Sequence, residues 1–243
     1  MKRVAVVGMG HVGGLTYDLL SEKHEVVSCD IDPKDQIRVN ACEVAFVCVP
    51  TPEGPEMLNA IHEVMSWLTT PVRVIRSTVP PGTCEHFNAC HWPEYFGEWP
   101  SPRMHGNPCP EYTILSGHQT MAVTEILKTC YPSRHLFYTF ENTAVTELAK
   151  LAENTFLAVK IELANIVADL CDAYGLDYEN VRNVWTMDER IGSDHTTVRC
   201  SERGFAGKCL PKDLASFVRL ATANGLNTQM LRGCIASNKI RRQ

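Results

Sequence analysis

Arg3-Val4-Ala5-Val6-Val7-Gly8-Met9-Gly10-His11-Val12-Gly13 is a β-branched run that breaks into glycines spaced G-x-G-x-x-G. The run predicts a buried strand, and Leu15, Leu19 and Leu20 beyond the turn predict a helix. The first glycine, Gly8, permits the tight turn. The second, Gly10, lets the backbone approach a pyrophosphate, and the third, Gly13, lets helix and strand pack closely. His11 and Val12 open the helix, where free N–H groups and the positive dipole end favour phosphate. The next run, Glu25-Val26-Val27-Ser28-Cys29, ends at Asp30, about 20 residues after Gly10. An acid there accepts from a ribose 2′-hydroxyl, which favours NAD over NADP.

Outward from this turn, strands are predicted at 44–49 and 72–76. Met57, Ile61, Val64, Met65 and Leu68 lie between them at helical spacing. Weaker strands near 112–115 and 136–139 flank a helix at about 119–129. Strands that alternate with helices predict an α/β class, a doubly wound parallel Rossmann sheet. The character changes at Glu141-Asn142, so the expected domains are 1–141 and 142–243. Thr143 to Tyr174 contains neither Gly nor Pro. It predicts one helix of about 48 Å, ended by Gly175. Helices at about 178–187 and 213–224 and a short final one follow, so the second domain is smaller and all-helical, around the long central helix.

Composition excludes several classes. Lys plus Arg total 23 against 28 Asp plus Glu, a net charge of −5 that gives no footprint for nucleic acid or an anionic membrane. No apolar run reaches the roughly 18 residues of a membrane span. The N-terminus resembles a signal peptide only until Gly8, Gly10, Gly13 and Gly14 interrupt it, so the expected compartment is the reducing cytoplasm. Eleven cysteines, odd in number and without a CxxC pair, predict no disulfide framework. Cys84, His86, Cys90, His91 and Cys109 match no common zinc spacing, so no metal site is expected.

Ligands of open α/β sheets bind beyond the carboxyl ends of strands. Val49-Pro50-Thr51-Pro52 and Ser77-Thr78-Val79-Pro80 stand there, and their hydroxyls are candidates to touch a cofactor. The most reactive segment is Gly204-Phe205-Ala206-Gly207-Lys208-Cys209-Leu210-Pro211-Lys212-Asp213. A helix N-terminus and nearby lysines both enrich a thiolate, which marks Cys209 as a nucleophile. Small residues such as Gly207 leave room for a substrate. Asp213 is a candidate cap or water-holding group. A cofactor turn joined to an activated thiol predicts four-electron oxidation of a primary alcohol. The thiolate traps the aldehyde as a thiohemiacetal, a second oxidation gives a thioester, and water releases the acid.

Taken together, these segments resemble the UDP-glucose/GDP-mannose dehydrogenase family. GFAGKCLPKD resembles its GFGGSCFPKD, Asp188-Glu189-Arg190-Ile191-Gly192 its D-x-R-I-G, and Glu147 to Asn154 the start of its central helix. Ser77-Thr78-Val79-Pro80 and Pro93-Glu94-Tyr95-Phe96-Gly97-Glu98 match its STVP and PEF-x-x-E segments. The resemblance implies Cys209 as covalent nucleophile, Lys150 and Asn154 as stabilisers of oxyanion charge, and Lys150 also as a contact of the substrate. It implies that Asp213 and Thr78 position a water and that Glu98 is the base for thioester hydrolysis. Glu94 would lie near the nicotinamide, and Arg190 would reach a substrate phosphate across a dimer interface. Read without the resemblance, Lys150 and Asn154 are a solvated helix face, and Glu94 and Glu98 are ordinary loop carboxylates.

The chain departs from the family pattern. Only Ile31 to Glu43 separates the second and third strands, which predicts a trimmed sheet. The chain ends soon after the cysteine helix, which predicts a short form without the family's C-terminal nucleotide-sugar domain. Lys208 and Ala206 replace small residues of the motif. The expected activity is NAD-dependent oxidation of a sugar primary alcohol to a carboxylate on a nucleotide sugar, by a homodimer built on helix 143–174. The alternatives are a two-electron dehydrogenase of a small hydroxy acid or polyol, and a non-catalytic NAD-binding module or half of a split enzyme.

Overall fold

The structure, a computed structural model, describes residues 1–30, 33–95 and 111–243. They form two compact units, Met1–Lys150 and Leu151–Gln243. The division falls inside the long helix rather than at the change of composition near residue 141.

The first unit alternates β1 (Arg3–Val7), α1 (His11–Ser21), β2 (Glu25–Cys29), α2 (Gln36–Asn40), β3 (Val44–Val47), α3 (Asn59–Trp67) and β4 (Val72–Ile75). It continues with α4 (Thr83–His86), β5 (Cys90–His91), β6 (Tyr112–Ser116), α5 (Thr120–Lys128), β7 (Leu136–Phe140) and the start of α6 (Thr143–Tyr174). The seven strands lie in the order β2-β1-β3-β4-β5-β6-β7. Side chains alternate across the sheet with period two. Ala5, Val7, Ala45, Val47 and Ile75 face Val39 of α2 and Ile61 and Val64 of α3. Val4, Val6, Val44, Phe46 and Val74 face Leu20 of α1 and Val123 and Leu127 of α5. Because both faces of β1 and β3 are covered, these strands read as near-continuous apolar runs rather than alternating ones. Burial of Phe46 alone contributes about 1.5–3 kcal/mol.

The sheet differs from the expected all-parallel form at one junction, where β5 pairs with β6 antiparallel through His91 and Ser116. A parallel neighbour needs a crossover, usually helical. The intervening sequence, with prolines at 100, 102, 108 and 110, has no helical period. The two-residue strand β5 and the one-turn helix α4 are too short to announce themselves in the sequence. Among the described residues between β2 and β3 stand a 3₁₀ turn (Pro33–Asp35) and α2, in line with the short spacing.

The second unit holds the rest of α6, then α7 (Tyr178–Trp185), α8 (Leu210–Ala223) and α9 (Gln229–Arg241). Ala158 of α6, Leu214 and Val218 of α8, Cys234 of α9 and the loop residue Phe205 form its core. The long helix ends where predicted. Gly175 adopts φ +66, and Leu176 N donates to Cys171 O at 2.8 Å. That left-handed cap closes the last turn. No helix among the described residues is long and apolar enough to cross a membrane.

Candidate active site

In the first unit the glycine turn joins β1 to α1. Gly8 has φ +88, and a Cβ there would stand 2.8 Å from the carbonyl oxygen of Cys48, just past β3. A Cβ on Gly13 would overlap the Gly8 carbonyl oxygen. Gly10 is different: nothing lies within 4 Å of its Cβ position. It is the N-cap of α1, and no side chain caps that end. Two glycines are therefore demanded by the protein's own backbone, and the third borders open space at uncapped N–H groups. Asp30 stands just past β2, and its carboxylate accepts from Met9 N at 3.3 Å. An acid held beside the turn, with a cradle open at Gly10, fits a dinucleotide whose pyrophosphate meets the helix N-terminus. His11 and Val12 are the first two residues of α1, as expected.

Thr51 follows β3 and is buried, and Thr78 follows β4 and is half-buried. Ser77 ties these two strand ends together by donating to Val49 O at 2.6 Å. Glu94 is half-buried beyond β5. Glu98 lies outside the described residues.

Three groups of this unit were not anticipated. Arg76, 1% exposed at the end of β4, lies 3.7 Å from the centre of the Trp92 ring and donates to the Thr16 hydroxyl. Thr16 in turn donates to Val12 O at 2.6 Å, so the first turn of α1 is braced from beneath by a cation. Burial holds the Arg76 guanidinium below its usual range. Burial also pushes the neighbouring Cys48 thiol up to about 11, so it stays protonated. Glu147, fully buried, accepts from Gly82 N at 2.6 Å and Cys84 N at 2.7 Å, which fixes the segment that follows Thr78. Burial raises its carboxyl above the usual range, against the pull of those hydrogen bonds. No sequence motif announces such roles, since Arg76 and Glu147 each bind a partner 60 or more residues away.

The solvated face expected from Lys150 and Asn154 alone is not what the structure holds. Both side chains are buried, each 6% exposed. The Lys150 ammonium lies 4.7 Å from the centre of the Tyr95 ring. A period-based reading fails here because α6 carries apolar residues on its exposed side as well, so polarity does not mark its outer face.

In the second unit Cys209 is half-buried and is the N-cap of α8. The helix starts at Leu210, one turn earlier than Asp213, so the thiol sits at the helix end itself. Asp213, fully buried, accepts from Asn154 Nδ2 at 2.6 Å and from Lys212 Nζ. It is therefore the centre of a polar cluster, not a side-chain cap. A carboxamide has two N–H donors, so this bond leaves Asn154 one more to offer a ligand. Gly207, with φ +84, lies in the exposed loop before Cys209. Arg190 is exposed and paired with Asp188 at 2.5 Å.

Residues 144–240 match the family model described as UDP-glucose/GDP-mannose dehydrogenase family, central domain. The matched span runs from the first turn of α6 to the last turn of α9, so these residues are similar to the central domain of that family. A UDP-glucose 6-dehydrogenase of Rickettsia typhi is 27% identical over 225 residues, covering 82% of this chain and 50% of that protein. One of Pseudomonas aeruginosa is 30% identical over 224 residues, covering 81% of this chain and 48% of that protein. The chain thus spans about half the length of these curated relatives. Its fold is that of a UDP-glucose dehydrogenase from the hyperthermophilic archaeon Pyrobaculum islandicum, with a TM-score of 0.85 at 22% identity, covering 99% of this chain and 68% of that one.

Proposed function

We propose that the chain carries out NAD-dependent oxidation of a nucleotide sugar's primary alcohol to a carboxylate, with Cys209 as covalent nucleophile. The observation that carries this reading is Cys209, half-buried at the N-terminus of α8, one helical turn from the Asn154–Asp213–Lys212 cluster, in which Asn154 and Asp213 are buried. A structural cysteine would need no such cluster.

NAD, bound at the glycine turn, supplies the two-electron acceptor for each of two oxidations. The chain's own groups do the rest. Asp30 holds the ribose, and Gly10, His11 and Val12 present the uncapped helix end to the phosphates. Thr51, Thr78 and Glu94 would stand near the cofactor's reactive end. The Cys209 thiolate adds to the aldehyde carbon formed in the first oxidation, giving a thiohemiacetal. Its oxidation gives a thioester, and water adds to the acyl carbon and releases the thiol and the acid. Lys150 and the free N–H of Asn154 stabilise negative charge on the acyl oxygen. Asp213, held by Asn154 and Lys212, orients the water with Thr78, and Glu98 takes its proton. Gly207 leaves space for the sugar, and Arg190 meets a substrate phosphate. The balance is one alcohol, two NAD and one water to one carboxylate and two NADH, with three protons released.

The assembly is a homodimer. Phe156, Leu163, Ile166, Leu170 and Tyr174 recur along α6 at helical spacing, and all are exposed. So long an apolar stripe fits a second copy of the same helix. Sedimentation of Leu163→Glu tests this, with a shift from dimer to monomer expected. Among the described residues ten cysteines are in no disulfide, which fits a reducing cytoplasm.

The test of function is a screen of UDP- and GDP-sugars against free sugars, following NADH. Two NADH per acid are expected. Cys209→Ser is expected to abolish acid formation while NAD binding survives. Undiminished acid formation by that variant would remove Cys209 from its role, and one NADH per product would replace the four-electron reaction with a two-electron one.

A further inference from the structure

We infer that Asn238 and Asn165 are positioning residues for the Cys209 loop, a role that rests on the reading of Cys209 as the nucleophile. Asn238 of α9 is 8% exposed and grips Phe205 from both sides of its backbone. Its Oδ1 accepts from Phe205 N at 2.7 Å, and its Nδ2 donates to Phe205 O at 3.0 Å. Asn165 of α6, 2% exposed, holds the preceding residues. Its Oδ1 accepts from Arg203 Nε at 2.8 Å and from Gly204 N at 3.1 Å. Its own Nδ2 is anchored on Ile161 O at 2.8 Å, so the carboxamide has one orientation. Gly204 between them has φ +76, and a Cβ there would collide with Asn238 Oδ1. Glycine at 204 and asparagine at 238 are therefore matched.

The loop is tied at both ends. At one end Phe205 has its backbone on Asn238 and its side chain in the core with Ala158, Leu214 and Val218. At the other, Cys209 O accepts from Asp213 N at 2.9 Å, and Asp213 is bound to Asn154. Only the exposed Ala206, Gly207 and Lys208 lie between the two anchors. With only three residues between the anchors, the position of the sulfur follows from where Phe205 is held. A nucleophile moved by about 1 Å loses on the order of 100-fold in rate.

Two measurements on the full chain test this. The first is the rate of alkylation of Cys209 by iodoacetamide across pH, read from the mass of its peptide. The second is acid formation with NAD affinity measured alongside. Asn238→Ala is expected to change the alkylation rate about 10-fold and shift its pH profile. It should lower kcat on the order of 100-fold and leave NAD affinity unchanged. Asn238→Asp keeps the acceptor for Phe205 N but sets a carboxylate against Phe205 O, so a smaller change in the same direction is expected. It carries the test if the alanine variant does not fold. Wild-type alkylation rate and pH profile in a folded variant, with only a lower melting temperature, would overturn the inference and leave Asn238 a structural residue. A clamp-dependent alkylation rate in a chain that oxidises no sugar would support the clamp and remove the proposed function.

Discussion

At Gly13 the phosphate turn leaves no room for a methyl group beside the Gly8 carbonyl, whereas the loop before Cys209 is open on its exposed side and is shaped by carboxamides from two helices. The first arrangement is made by neighbours in sequence. Residues five apart touch, so the glycine is written into the motif. The second is made by hydrogen bonds between residues more than 30 positions apart. A glycine pressed against the backbone, such as Gly13, tolerates no substitution, and a loop set by remote polar groups depends on all of them at once.

The strongest way to break this contrast is Gly13→Ala. Overpacking of this kind costs about 1–3 kcal/mol or more, so a large fall in melting temperature and loss of measurable NAD binding by fluorescence titration are expected. Gly10→Ala sharpens it. With nothing within 4 Å of the added carbon, melting of the free protein should stay near wild type while NAD affinity falls. Equal melting losses in the two variants would show that Gly10 is demanded by the fold and not by the ligand.

The next effect concerns a buried imidazole in the first unit. His91 is fully buried, and its Nδ1 lies 2.7 Å from the Thr146 hydroxyl, which meets Ser116 Oγ at 2.6 Å. Burial holds His91 down at about 3, against an ordinary value of 6.5. In that window the unfolded chain binds the proton and the folded chain does not. Stability is therefore full above pH 6.5 and lost as pH falls toward 3, by at most about 1.4 kcal/mol per pH unit from this group. His91→Gln should flatten the fall in urea midpoint between pH 6.5 and 4, and an unchanged slope would assign the acid sensitivity elsewhere. The smallest effect is expected at Arg190, whose pair with Asp188 is exposed. Arg190→Ala should leave melting unchanged and raise KM for a nucleotide sugar, so a lowered melting temperature would make it a structural residue.

Part of the proposed site rests on local signals. The glycine spacing, Asp30 at the end of β2, the strand ends at Thr51 and Thr78, and the lysine-flanked Cys209 all declare their chemistry within a few residues. Lys150 and Asn154 misled when read singly, because a helix with apolar residues on its exposed side gives no polar stripe to orient it. Arg76, Glu147, Asn165 and Asn238 gave no signal, since an isolated buried polar residue looks like any surface one until its partner is known.

From sequence alone come the strand, turn and helix at 3–21 and the uninterrupted helix at 143–174. Both follow from steric and conformational preferences that act over a few residues. Tertiary structure alone decided the antiparallel step from β5 to β6, the burial of Asn154 and Asp213 in their cluster with Lys212 and the anchoring of Phe205. The physical reason is that a buried hydrogen-bonding group must find a partner wherever the fold places one, and that place has no fixed distance along the chain.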